Sequence, residues 1–419
     1  MAFTRFFMLL VLSGLWLVSG VGFAQPQSSL SEISAHSFEI YKQLHQYPEL
    51  GKKEFKTAAL VRDELKKYGF TKFYEVDGLP TCVIAELDTR KKGPVIAFRA
   101  ELDARPGKEK SGVAYASKID SLVHSCGHDA HTSILLGVAR LLNSRKQLLK
   151  GKIYFVFQPA EEVKGGADDI VNSGILKKLN IGSMYALHAA SGLDVGKVTI
   201  SPGYIMAGSN YFTIEIEGKG SHAATPYEGS NIPVLASKLV TTLTSIPALN
   251  MDISERPAVM SVTHLEAGKS GGLNVIPSQA VIRGTIRAYE QIDEPFNGQP
   301  SISDIIRDQL APFCAIPGVK CNIDIRKGSP PTYNSPELFD HMVPKLIKTF
   351  QGSIDTTPHR GMFSEDFSYY TEGIPCLYFG LGIAKENLGY ANVHSEEFSV
   401  HPDTFRYGIE LFVRIAEVQ

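Results

Sequence analysis

"IYFVFQPAEE", residues 153–162, is an unbroken apolar and aromatic run that turns acidic within a few positions. "PVIAFRAELD" (94–103) does the same, and "MYALHAA" (184–190) carries a histidine near its end. Continuous apolar runs suit strands buried on both faces of a parallel sheet. Helical segments lie between them, such as "FKTAALVRDELKKYG" (55–69), which is amphipathic and stops on Gly69. Strand and helix in alternation suit βαβ crossovers. In such sheets ligands gather at the carboxyl ends of the strands. The polar residues Asp103, Glu161, Glu162 and His188 are expected there.

After about residue 207 the period changes. "NYFTIEIEG" (210–218) alternates apolar with polar or small residues, and "NIPVLASKLVTTL" (231–243) lines up one helical face. Two further strands, the helix "ISDIIRDQLAPF" and the alternating strand "VKCNIDIR" (319–326) follow. This β-α-β-β-α-β order predicts a ferredoxin-like unit with one wet sheet face. The chain is therefore read as an α/β protein with a mainly parallel central sheet and an inserted α+β lid. The expected divisions are a signal peptide over 1–24, a catalytic domain over 30–206, the inserted domain over 207–328, and a return to the catalytic domain over 329–419.

"VHSCGHDAHTSILLG" (123–137) places three histidines, a cysteine and an aspartate at the mouth of a predicted helix. Thiolate and imidazole are preferred ligands of Zn²⁺ and similar ions. Cys126 and His128 form C-x-H, and His131 follows three residues later, back toward the same mouth. The adjacent carboxylates Glu161 and Glu162 allow a division of labour: one binds a cation while the other handles a proton, as metal-assisted hydrolysis needs. His188 and His394 add two more ligands near apolar runs. Together these residues offer S, N and O donors enough for two ions. Asp103 is placed to orient a ligand imidazole from behind. In the inserted domain His222 follows "GKGS", where glycines permit close backbone approach, and is read as a polar group that a closing lid delivers.

The chain has 419 residues, 43% hydrophobic and 21% charged, with net charge −2. No basic stripe is present, so nucleic acid is not an expected partner. The first residues carry one early charge at Arg5, an apolar core from Phe6 to about Phe23, and small residues at Gly22 and Ala24. This pattern predicts a cleaved secretory signal and an exported, periplasmic or secreted product without a stable membrane anchor. Five cysteines are too few for a disulfide framework and leave at least one free thiol. Cys314 and Cys321 are near enough in sequence to pair, but spacing alone does not show it.

Taken together, these motifs resemble the aminoacylase/carboxypeptidase family of dinuclear metallohydrolases, and within it the branch of hippurate hydrolase and the plant indole-acetyl-amino-acid hydrolases. The matching segments are "LHQYPELGKKE" (44–54), "FRAELDARP" (98–106), "HSCGHDAH" (124–131), "FVFQPAEE" (155–162), "ALHAA" (186–190), "GKGSHAATP" (218–226), "GGLNVIPSQAVIRGTIR" (271–287), "MFSEDFSYY" (362–370) and "NVHSEEF" (392–398). The resemblance implies a zinc-exopeptidase-like catalytic domain, with Cys126, His128, Glu162, His188 and His394 holding two divalent ions and Glu161 as general base. Zn or Mn is the expected metal, with Co and Ni as alternates. It further implies that His222, Asn274 and Arg287 contact the reacting carbonyl or the substrate's carboxylate, and that a homodimer forms through the inserted domain, as in some relatives. The family's acidic strand end usually reads R-A-D-M-D-A-L-P; here Glu101 and Arg105 intrude. Tyr227 replaces a usual histidine, and Ser-Glu-Glu follows His394. These departures touch the substrate pocket and leave the expected ligands intact. The expected activity is hydrolysis of small N-acyl amino acids to a carboxylic acid and an amino acid. A dipeptidase or carboxypeptidase on the same scaffold is the nearest alternative. A periplasmic binding protein needs no base beside the metal, and a structural zinc protein would close its ligand set.

Overall fold

The computed structural model describes residues 29–163, 165–268 and 272–419; the expected signal segment lies outside them. Its larger sheet has eight strands. The four central strands, in spatial order Lys152–Gln158, Val95–Glu101, Ser183–Asp194 and Cys376–Ala384, run parallel. Antiparallel neighbours flank them, Val83–Asp88 on one side and Lys197–Thr199 on the other.

The unbroken apolar runs are explained by cover on both faces. Phe98, Phe155, Phe157, Tyr185, Leu187 and Phe379 belong to one core, packed under the helices Leu30–Gln46, His128–Ser144 and Thr404–Glu417. Their sequence neighbours Ala97, Tyr154, Val156, Met184, Ala186 and Tyr378 point the other way, into a second core with Ile170, Leu176, Phe367 and Tyr370. Successive side chains of a strand alternate between faces, so each run fills two cores at once. The register aligns the strand ends: Glu101 pairs with Gln158, and His188 with Gly380. The chain leaving these ends forms the floor of the site.

The second sheet is wholly antiparallel, in the order Ala258–Ala267, Gln279–Ala288, Gly208–Glu217, Lys320–Lys327. With the helices Ile232–Asn250 and Ile302–Cys314 on one face, this is the expected ferredoxin-like unit. The first helix outruns its predicted end and carries Pro247 within its last turn. It is long and apolar enough to cross a membrane by composition, yet Ile232, Leu235, Leu239, Leu243 and Ile246 are buried in the lid core. A disulfide joins Cys314 at the end of the second helix to Cys321 on the last strand, with Cα atoms 5.5 Å apart. A short ribbon, Gly203–Met206 against Thr332–Asn334, marks the two crossings between lid and larger domain.

Candidate active site

The opening of the helix His128–Ser144 is set by Gly127, whose φ of 89° is one that a side chain rarely tolerates. That turn holds Cys126 and His128 over the ends of the parallel strands. His128 is fully buried; its Nδ1 donates to the Asp103 carbonyl at 2.8 Å. His188 Nδ1 donates to the Ala189 carbonyl at 3.0 Å. Each ring thus turns its Nε2 inward, where a cation would meet a lone pair in the neutral form. His188 Nε2 lies 3.4 Å from the Cys126 sulfur. His128 Nε2 is buried without a hydrogen-bond partner, 3.8 Å from Glu161 Oε2.

The strand Lys152–Gln158 ends before the two glutamates, and Ala160, at a φ of 60°, turns the chain. Asp103 then clamps both: Oδ1 accepts the Glu161 N–H at 3.0 Å and Oδ2 the Glu162 N–H at 2.9 Å. Asp103 thus faces the His128 ring with both its backbone carbonyl and, at 3.4 Å from Nδ1, its carboxylate. Glu162 Oε1 lies 3.2 Å from His394 Nε2, yet it has no aligned hydrogen bond. Arg105 approaches the other oxygen at 3.8 Å. His394 has a φ of 70°, and its N–H donates to the Ser125 carbonyl at 2.6 Å.

Electrostatics separate the two carboxylates. Burial alone would raise Glu162, but His394, His128 and Arg105 hold it down at about 2. Burial and the nearby Glu365 and Asp366 carboxylates push Glu161 well above the ordinary range. Burial lowers His188 to about 4, keeping it neutral and able to ligate, and pushes the Cys126 thiol far up, so that a thiolate there needs a cation beside it. Among the described residues four triplets of possible ligands have their donor atoms within 4.8 Å of one another: Cys126/His128/His188, Cys126/Glu162/His394, His128/Glu161/Glu162 and the all-acidic Glu161/Glu365/Asp366. Orphaned buried donor atoms and a mixed S, N, O set fit divalent ions of the Zn²⁺ type.

Not every residue singled out by sequence comes to this place. His131 has no free nitrogen: Nδ1 donates to Glu101 at 2.8 Å and Nε2 accepts the Ala189 N–H at 2.9 Å. Glu101, the unusual acid, also pairs with the fully buried Arg99. Arg99 is held as well by Glu365 at 2.8 Å and Asp366 at 2.6 Å. This buried anchor beneath the site was missed; its signal was the arginine inside an apolar run and the acidic pair in "MFSEDF". Arg287 lines a cavity of about 850 Å³ together with Cys126, Glu161, Glu162, His188 and His394. His222 and Asn274 do not line it; both are exposed, by the short ribbon that pairs Ser221–His222 with Val275–Ile276.

A family model described as Peptidase family M20/M25/M40 matches residues 97–418. The chain belongs to this family. The M20 chain is 37% identical over 347 residues to N-acetyl-L-cysteine deacetylase of Bacillus subtilis, covering 83% of this chain and 80% of the relative. It is 33% identical over 387 residues to thermostable carboxypeptidase 2 of Saccharolobus solfataricus, covering 91% and 95%. Among solved structures it is similar to a Bacillus subtilis protein described as a dinuclear metal binding peptidase from the M20 family, with a TM-score of 0.79, 27% identity, and coverage of 93% and 98%. This M20 protein is a metal-dependent amide hydrolase with a centre for two divalent ions.

Proposed function

We propose that the protein hydrolyses N-acyl amino acids, with Cys126, His128, Glu162, His188 and His394 holding two ions, Zn or Mn, and Glu161 as general base. The observation that carries this reading is the divergence of the paired glutamates. Both backbones hang from Asp103 and both side chains line the cavity, yet Glu162 faces His394 at 3.2 Å while Glu161 faces Glu365 and Asp366. When bound, the ions polarise the scissile carbonyl and acidify water. Glu161 accepts the proton at its carboxylate and returns it to the departing amine. Arg287, on the lid wall of the cavity, grips the free carboxylate of the amino-acid part. The similarity to a deacetylase favours small acyl groups, and the carboxypeptidase relative supplies the competing reading. A metal-supplemented screen of N-acetyl and N-benzoyl amino acids beside dipeptides tests the choice: turnover confined to dipeptides defeats the proposal.

Two finer readings accompany it. Export is supported by the charged start and apolar core of the first residues and by the Cys314–Cys321 disulfide, which suits an oxidising compartment. A homodimer through the lid is supported by the exposed positions of His222 and Asn274 outside the cavity and by the open edge of the strand Ala258–Ala267. In this reading the lid of one copy completes the site of the other.

A further inference from the structure

Three arginines of this chain sit in sharply different company. Arg99 is surrounded by three carboxylates, and Arg256 is paired with Glu290 at 2.6 Å. Arg287, half-buried on the cavity wall, meets no carboxylate within ion-pair distance among the described residues. Its Nη1 instead donates to the Ser364 hydroxyl at 2.7 Å. A hydroxyl directs a guanidinium but cannot neutralise it.

Ser364 is itself firmly placed. The next two residues, Glu365 and Asp366, clamp Arg99 beneath the sheet. Three residues before it, the Gly361 carbonyl accepts the Tyr289 hydroxyl at 2.8 Å and the Ala207 N–H at 3.0 Å. Tyr289 lies two residues beyond Arg287, just past the end of the lid strand Gln279–Ala288. One short segment thus connects the metal floor to the lid strand that carries the free cation.

We propose that Ser364 is the positioning residue that aims Arg287 at the substrate's carboxylate while leaving its charge uncompensated. This rests on the reading of Arg287 as the carboxylate receptor. With one N–H spent on Ser364, the guanidinium keeps four donors, enough for a two-bond grip on a carboxylate. A carboxylate at position 364 would bind Arg287 better and abolish that use.

The test compares an N-acetyl amino acid with its α-carboxamide. Ser364→Ala is expected to raise KM for the free acid roughly fivefold, the net worth of one hydrogen bond, and to shift KM for the carboxamide less than twofold. Ser364→Thr keeps the hydroxyl and should restore the free acid's KM. Ser364→Asp should raise that KM more than Ser364→Ala does, although it offers the stronger hydrogen bond, because the cation is then neutralised. A structural role predicts the opposite order. An aspartate variant equal to or better than the alanine variant, or equal shifts on both substrates, overturns the proposal. Arg287→Ala run beside them separates the two layers. If it weakens acid and carboxamide alike, the carboxylate reading falls and Ser364's role with it. If it discriminates while Ser364→Ala does not, only the positioning role falls.

Discussion

The floor of the site and its lid are built on opposite plans. On the floor, His128 and His188 each have one nitrogen tied to a backbone carbonyl, and both glutamate backbones are held by Asp103. Arg99 and three carboxylates lock the layer underneath. On the lid, His222 and Asn274 are exposed, and Arg287 has a single hydroxyl contact. The difference teaches what each part is for. Metal ligands are held in place before the ion arrives, because a loose shell loses affinity and selectivity. In the proposed reading the lid groups meet a substrate or a second copy, and they stand exposed until that encounter, His222 with only its Nδ1 tied, to the Ala224 N–H at 3.1 Å. His394 stands between the plans: its backbone is fixed to Ser125, but its side chain is 46% exposed.

The largest expected effect belongs to the floor. Glu161→Gln keeps shape and removes proton acceptance. It should retain metal and substrate binding while kcat falls roughly 10²–10⁴-fold, the usual worth of a positioned base. Glu162→Gln should instead lower metal content, with rate partly recovered by added metal. Elemental analysis with kinetics on both variants checks this, and a reversed pattern exchanges the two roles.

The lid is tested next. His222→Ala should lower kcat about 10²-fold, the scale of one lost polar contact to a reacting oxygen, without changing metal content. Mixing it with Glu161→Gln and letting subunits exchange decides whose site the lid serves. If His222 acts on the partner's site, a mixed dimer regains one complete site, and activity rises to about a quarter of the unmodified protein's. If each lid closes on its own floor, the mixture stays inactive.

The smallest effect concerns the floor's tie to the first helix. His45 lies 2.6 Å from Asp129 and 3.0 Å from Glu109, almost fully buried. Burial opposes its charge, but the two carboxylates win and raise its pKa from 6.5 to about 9. The folded imidazole therefore keeps its proton where the unfolded one releases it. Its stabilisation is full below pH 6.5 and is lost as pH rises through 9. Thermal midpoints of the metal-loaded protein should fall across that window, and His45→Gln should flatten the fall. Parallel curves for both proteins would remove His45 from the account.

Much of this was legible in sequence because burial writes itself into apolar runs. "IYFVFQ" declares cover on both faces, and the alternation of "NYFTIEIEG" declares a half-wet sheet. Cys126, His128, Glu162, His188 and His394 gather because the strand ends and the loops packed over them share one edge. What was hidden depends on direction. Nothing in "CGHDAH" says that His128 leaves its Nε2 unpartnered beside Glu161 while His131 spends both nitrogens on Glu101 and the Ala189 N–H. That Asp103 offers His128 its carbonyl at 2.8 Å and its carboxylate at 3.4 Å, while the same carboxylate accepts two amides, is a matter of angles within one turn. Ser364 was a letter in a motif until the lid strand was laid beside it.

The bridge between Cys314 and Cys321 has one more consequence. Its partners are seven residues apart, whereas Cys82 and Cys126, the next nearest in the chain, are separated several times further. Closing a chain loop grows harder by about 0.6 kcal/mol with each doubling of its length. In an oxidant-rich surrounding the short pair therefore meets first and withdraws from competition. Cys82, Cys126 and Cys376 are left to be sealed away as the cores form, each as a buried free thiol. In the proposed reading, order of encounter thus keeps Cys126, the sulfur among the proposed metal ligands, from being captured by its siblings.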